Sequence, residues 1–222
     1  YCACRVEFAG ELGEDVGGLT KELFTLTIRQ LMQETSAFAL SSSGQVYWFT
    51  GRDAAVVAGT AEAESEEKTT ATSLLSWEYM LGLVQSLAIY HGIHIDMPLP
   101  TAVYKLLKGR ELTLSDLAAA DRDLAHGLRL LLQYPEGSAS IEDAFGVTFV
   151  ASSNPLLDAP QASSTTAPTA AVPLVPRGEE KLVTRGNRQD FVNAFVRHSL
   201  YGCCARQVDL YVAGVKRLVP AL

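Results

Sequence analysis

Soft metal ligands are scarce: the 222 residues hold only four cysteines, four histidines and three methionines. The cysteines fall in two tight pairs, Cys2/Cys4 and Cys203/Cys204. That is not the pattern of a secreted disulfide framework, and it predicts an intracellular, reduced protein, cytoplasmic or nuclear. Neither pair has the gap of a zinc knuckle, and neither metal nor cofactor is expected. Excess positive charge is also lacking. Lys and Arg total 18 against 25 Asp and Glu, a net −7, which disfavours non-specific nucleic-acid binding. No apolar run goes unbroken for long. In the most apolar stretch, LLSWEYMLGLVQSLAIYHGIHI (74–95), Glu78, Gln85, Ser86 and His91 intervene at helical spacing. A membrane span needs roughly 20 mostly apolar residues, so a buried core helix is expected there, and no membrane partner. YCACRVEF lacks the charged-then-apolar order of a signal peptide, and none is expected. Gly17 and Gly18 are not followed by GKS or GKT, which excludes a phosphate loop.

What the chain does hold is a series of helix patterns. RVEF reads as a short opening strand. A helix follows from near Gly17, with Glu14 and Asp15 complementing its positive end. Its apolar residues (Leu19, Leu23, Leu26; Phe24, Ile28, Leu31) cover so wide an arc that burial on more than one side is expected. FALS and VYWF read as strands joined by SSGQ, and 50–73, with Glu62, Glu64, Glu66 and Glu67, reads as an acidic surface loop. After helix 74–90, PLPTAVYKLLKG reads as a shorter helix opened by proline and closed by Gly109. TLSDLAAAD is a turn or short helix. Asp121 caps a helix to about Gln133, stopped by Pro135, with a stripe of Leu124, Leu128 and Leu131. FGVTFV (145–150) alternates with period two, placing Phe145, Val147 and Phe149 on one strand face. Residues 152–171 are low in complexity and read as a flexible insertion. VPLV and KLVT are strands around PRGEE. Asn187 caps the next helix, where Phe191 and Phe195 lie one turn apart. The last helix begins near Cys203 and carries Cys204, Val208, Tyr211, Val215 and Leu218 on one stripe.

Three features could carry chemistry. Cys203 and Cys204 stand at a helix start near His198, the setting that lowers a thiol pKa; against that, Cys204 lies on the apolar stripe, where a free cysteine is a small hydrophobe. His91 and His94 (HGIH) could pair on a helix, but no third ligand stands at a matching distance and Gly92 ends the helix there. Basic residues gather toward the C-terminus (Arg177, Lys181, Arg185, Arg188, Arg197, Arg206, Lys216, Arg217). That basic set reads as solvated surface.

GEDVGGLTKELF, YMLGLVQSLAIYHGIHIDMPLPTAVYKLLKG, LTLSDL, VTF and LVTRGNRQDFVNAFV occur in this order. The set resembles the N-terminal lobe of the HECT-type ubiquitin ligases, from about Arg5 to Pro220. The resemblance implies an α+β, predominantly helical fold: a large helical subdomain (1–122), a smaller α/β subdomain that docks the ubiquitin-conjugating enzyme (123–200, with the insertion 152–171), and the start of a returning segment (201–222). It implies that ubiquitin reaches the ligase from a ubiquitin-loaded conjugating enzyme and passes to a cysteine of a separate C-lobe, in a Thr-Cys-Phe type motif that this sequence does not contain. The chain is thus expected to dock the conjugating enzyme, to meet ubiquitin only indirectly and to hold no catalytic residue of its own. Matching motif to motif, the docking groove falls on Leu124, Leu128, Tyr134, Asp143, Phe145, Val147, Phe191 and Phe195. The alternative is a non-catalytic helical protein-interaction domain. If the covering segments are absent, Tyr211, Val215 or Leu218 should be partly exposed and favour self-association.

Overall fold

The computed structural model describes residues 5–10, 15–33, 36–51, 76–135, 140–158 and 171–220. Cys2, Cys4, positions 52–73 of the expected acidic loop and positions 159–170 of the expected insertion lie outside the described residues. The elements in chain order are α1 (Gly18–Gln33), β1 (Phe38–Leu40), β2 (Tyr47–Phe49), α2 (Trp77–Tyr90), α3 (Ala102–Leu107), α4 (Leu114–Ala120), α5 (Arg122–Leu132), α6 (Ile141–Phe145), β3 (Val150–Ala151), β4 (Val172–Pro173), α7 (Arg188–Leu200), a 3-10 turn (Gly202–Cys204) and α8 (Ala205–Lys216). The fold is α+β and mostly helical, and no described helix is long and apolar enough to cross a membrane. Packing divides the chain into two units: residues 1–39, 51–98 and 206–222, and residues 40–50 and 99–205. Packing therefore groups α3 and α4 with α5 to α7, whereas the expected break fell at 122/123.

The first unit contains α1, α2 and nearly all of α8. RVEF has strand-forming residues but is not a strand and pairs with none among the described residues. Val6 is held instead by its N–H donating to Asp15 Oδ2 at 3.0 Å. Asp15 Oδ1 accepts from the Gly17 and Thr20 N–H groups, at 2.9 and 3.3 Å, and the Thr20 hydroxyl donates to Oδ2. The Asp15 carboxylate thus satisfies the open Thr20 amide of the first turn and the Gly17 amide just before it. The Thr20 hydroxyl foremost, then the Val6 amide, lower the Asp15 pKa from 3.8 to about 2. A carboxylate whose folded pKa is depressed stabilises the fold above its unfolded pKa and loses that contribution as pH falls through the folded value. That contribution is lost between the ordinary carboxylate value of 3.8 and about 2, and the Val6 and Thr20 amide resonances are expected to titrate with a midpoint near pH 2. In Asp15→Asn the titration should vanish; if it persists in that variant, the cap is misassigned.

On α1, Phe24, Ile28, Leu31 and Met32 are buried while Leu23 and Leu26 are exposed. The helix is thus covered on one side, by α2, and not on two. The Ser76 side chain caps α2 by accepting from the Tyr79 N–H at 3.3 Å. Leu81 and Ala88 are fully buried, and the polar Glu78, Gln85 and Ser86 are buried with them. Helix α8 explains this mixture. Gln207 Nε2 donates to Glu78 Oε1 and the Tyr211 hydroxyl donates to Gln85 Oε1, so the interrupting polar residues are partnered inside the unit. Between them the helices touch through glycine. A Cβ on Gly82 would fall under 3.0 Å from the Tyr211 carbonyl oxygen and the Val215 nitrogen, and one on Gly214 would meet the Tyr79 carbonyl. Val208, Tyr211 and Val215 are consequently buried; of Tyr211, Val215 and Leu218, where some exposure was expected, only Leu218 is exposed.

The second unit is built on α4, α5 and α7. Thr113 and Asp116 form the capping box of α4, and Lys105 Nζ on α3 reaches Asp116 Oδ2 at 2.7 Å. Burial pushes the Asp116 carboxyl up, but the Lys105 and Thr113 hydrogen bonds and the Lys105 charge outweigh it and leave the pKa lowered. Asp121 caps α5 by accepting from the Asp123 and Leu124 N–H groups, and its other oxygen takes the Ser42 hydroxyl at 2.6 Å. Trp48 and Phe49 of β2 are fully buried.

Three expectations fail here for identifiable reasons. Phe145 ends helix α6 instead of starting a strand, because Ser140 caps IEDAF and Gly146 (φ 59°) takes the left-handed position that stops it. The pairing reduces to Val150↔Pro173 and Ala151↔Val172, with a single bridge from Thr148 to Leu182. The start of the supposed insertion is ordered core. Leu156 is fully buried, the Ser42 N–H donates to its carbonyl, and Asn154 Nδ2 donates to the Phe49 carbonyl at 3.0 Å. Asn187 precedes α7 but its side chain does not cap it; Oδ1 accepts from the Thr184 N–H and Nδ2 donates to the Leu182 carbonyl.

Candidate functional site

The expected groove residues all belong to the second unit, and they sort by burial into supports and surface. Leu128 and Phe191 are buried, Phe191 to 3% exposure. Leu124, Tyr134, Val147 and Phe195 are half-buried, and Asp143 and Phe145 are exposed. Two aromatic pairs stand out. The Tyr134 and Phe145 rings meet edge to face, centroids 5.2 Å apart at 82°. Phe191 and Phe195 lie 5.9 Å apart at 48°. The fold thus brings Tyr134 at the end of α5 onto Phe145 at the end of α6, and joins the two phenylalanines of α7. Leu124 sits in the first turn of α5, about 10 Å along the axis from Leu131, so it is set apart from the Tyr134 end.

Phe149, which the alternation groups with Phe145 and Val147, separates from them and lies inside. It is fully buried, packs edge to face on Phe191 at 5.4 Å, and carries Lys181 Nζ over its ring at 4.3 Å. Leu130 and Leu182 were missed, yet they are 50% and 46% exposed. The available signal was that Leu130 falls off the 124–128–131 stripe, so the core has no place for it. Asp143 is partly engaged: the Ser140 hydroxyl donates to Oδ2 at 2.7 Å. Around the Tyr134 end, Arg188 Nη1 donates to the Tyr134 carbonyl at 3.2 Å and Arg185 Nη2 to the Pro135 carbonyl at 3.0 Å. This surface offers apolar edges rimmed by charge and no convergent set of titratable groups.

The thiols and imidazoles offer little more. Cys204 is buried, and the Cys203 thiol is turned to the Ser199 carbonyl at 3.4 Å. His198 Nε2 hydrogen-bonds the Ser152 carbonyl at 3.0 Å. His91 caps the end of α2, and Gly92 (φ 67°) turns the chain away. Among the described residues no three His, Cys, Asp or Glu converge on a metal position. A shallow groove along α1, lined by Lys21, Glu22, Thr25, Leu26 and Arg29, has its walls on that one helix and belongs to the first unit.

The profile of the HECT-domain (ubiquitin-transferase) family matches residues 25–222. The chain belongs to the HECT family. Among similar proteins, the "Probable E3 ubiquitin-protein ligase HERC4" of Rattus norvegicus is 28% identical over 96% of this chain and 18% of its own length. The human "Probable E3 ubiquitin-protein ligase HERC3" is 27% identical over 87% of the chain and 16% of its own length. For the mouse "Probable E3 ubiquitin-protein ligase HECTD2" the figures are 27%, 95% and 25%. The chain therefore spans a quarter or less of these relatives. The HECT match begins inside α1 and covers every later described element, so both aromatic pairs lie within it.

Proposed function

We propose that this chain is the part of a HECT-type ubiquitin-protein ligase that docks a ubiquitin-loaded conjugating enzyme, using the region 123–200. The observation that carries the reading is the Tyr134–Phe145 pair: two aromatic rings held edge to face, one of them 36% exposed, next to the half-exposed Leu130 helix end and the acidic Asp143. An aromatic edge that is rigid before binding suits a hot spot. Leu128 and Phe191 serve as buried supports, while Tyr134, Phe145, Val147 and Phe195 meet the partner. Ubiquitin itself is met through the conjugating enzyme.

The thiol that receives ubiquitin in such a ligase is neither Cys203 nor Cys204. Transthiolation needs an accessible thiolate aligned with the incoming thioester. Burial withholds Cys204, and Cys203 points its sulfur at the Ser199 carbonyl near the end of α7.

Phe145→Ala is expected to weaken binding of a purified ubiquitin-conjugating enzyme by about thirtyfold, roughly 2 kcal/mol, with the melting temperature nearly unchanged. Titration calorimetry measures this, and equal affinity for the variant and parent would remove the pair from the interface. Incubation with a ubiquitin-charged conjugating enzyme should leave no reductant-sensitive ubiquitin adduct on this chain; an adduct lost in Cys203→Ser would overturn the assignment. If the parent chain binds no conjugating enzyme, the non-catalytic interaction domain takes its place.

A further inference from the structure

Resting on the docking reading, we propose that Arg185 and Arg188 are positioning residues that lock the Tyr134–Phe145 pair before a partner arrives. Two guanidinium groups from one four-residue stretch reach consecutive carbonyls about fifty positions earlier, Arg188 to Tyr134 at 3.2 Å and Arg185 to Pro135 at 3.0 Å. These carbonyls follow the last residue of α5, so no helical N–H takes them. Charged donors on such carbonyls form the stronger class of hydrogen bond, and the planar fork of arginine fixes their direction as a lysine ammonium does not.

The consequence runs outward from the core. Arg188 opens α7, three and four residues before the buried Phe191 and Val192, so its backbone is anchored to the core. Holding the Tyr134 carbonyl restrains that peptide plane and so the backbone from which the Tyr134 ring projects. The ring in turn is the aromatic contact of Phe145, which ends a helix of only five residues. A helix so short does not hold its last side chain by itself. Without the arginines, Tyr134 turns more freely and Phe145 loses its fixed edge. A surface ordered in advance pays less entropy on binding, so the loss should appear as affinity although neither arginine needs to touch the partner.

The test uses the full chain with labelled phenylalanine and tyrosine rings, as the parent, Arg188→Lys, Arg185→Met and the Arg185→Met/Arg188→Met double variant. Each is observed by NMR and titrated with a panel of purified ubiquitin-conjugating enzymes. In the double variant the Phe145 ring resonances should move toward free-phenylalanine values and the dissociation constant should rise roughly tenfold, the Phe191 resonances staying in place. Arg188→Lys should restore part of both. Unmoved Phe145 resonances, or moved resonances with unchanged affinity, overturn the proposal. Should the double variant fail to fold, Arg185→Met, at an exposed position, gives the same two readouts. If the parent binds no member of the panel, the docking reading fails; if the parent binds and the variants bind equally, only the arginine role does.

Discussion

Gly82→Ala is expected to lower the melting temperature by about 6–12 °C, the equivalent of about 3 kcal/mol in a chain of this size. The added methyl has nowhere to go. It would lie under 3.0 Å from the Tyr211 carbonyl oxygen and the Val215 nitrogen, which are backbone atoms and cannot rotate aside. Relief requires α8 to move off α2. That movement also stretches the Gln207–Glu78 and Tyr211–Gln85 hydrogen bonds, whose members are all nearly or fully buried. A buried polar group left without its partner costs about 1–3 kcal/mol, so overpacking and lost pairing act in the same direction. Gly127→Ala is the matched control. Nothing lies within 4 Å of its Cβ position on the exposed face of α5, and alanine there should stabilise by about 0.5–1 kcal/mol through helix propensity. Thermal melts of the two variants should therefore shift in opposite directions. A Gly82→Ala melt within 2 °C of the parent would mean that the helices are not in glycine contact.

The helices were legible where a periodic stripe met a cap. Asp121 and Pro135 bracket α5 to within one residue, and the Cys204–Val208–Tyr211–Val215 spacing marks the buried face of α8. The glycine crossing was not legible, although Gly82 and Gly214 stand within helical patterns, because a glycine shows no partner until a second helix is placed against it. Strands were overcounted for a related reason. RVEF and FGVTFV satisfy strand composition, but a strand needs a neighbour, and the Asp15 cap and the Ser140–Gly146 turn claim those backbones first. The site was legible as segments and not as exposure. Phe191 and Phe195 are equivalent by spacing, yet the first is enclosed by Phe149 while the second is half open. The arginine contacts leave no periodic trace, since they join residues fifty positions apart through main-chain carbonyls that any residue could supply.

That enclosure decides what Phe191→Ala will do. A groove residue should lose docking and keep its fold; Phe191 should do the reverse. Its ring packs edge to face on the fully buried Phe149 and against Phe195, and it is 3% exposed. Removing it leaves a cavity beside a phenylalanine that cannot collapse into the space, because the Phe149 backbone is pinned. The Phe149 N–H donates to the Gly178 and Lys181 carbonyls, and its own carbonyl takes the Leu174 N–H. Phe→Ala in such a site costs about 3–5 kcal/mol. The variant is expected to melt roughly 6–20 °C below the parent. Any fall in affinity for a conjugating enzyme should follow the unfolded fraction, and affinity should return on cooling or with a stabilising osmolyte. Phe145→Ala should show the opposite pattern, a near-parental melt with an affinity loss that cooling does not repair. Denaturant unfolding run alongside titration separates the two. If Phe191→Ala melts like the parent while binding collapses, the ring must face the partner and its enclosure by Phe149 must be wrong. The supports and the surface would then have to be exchanged.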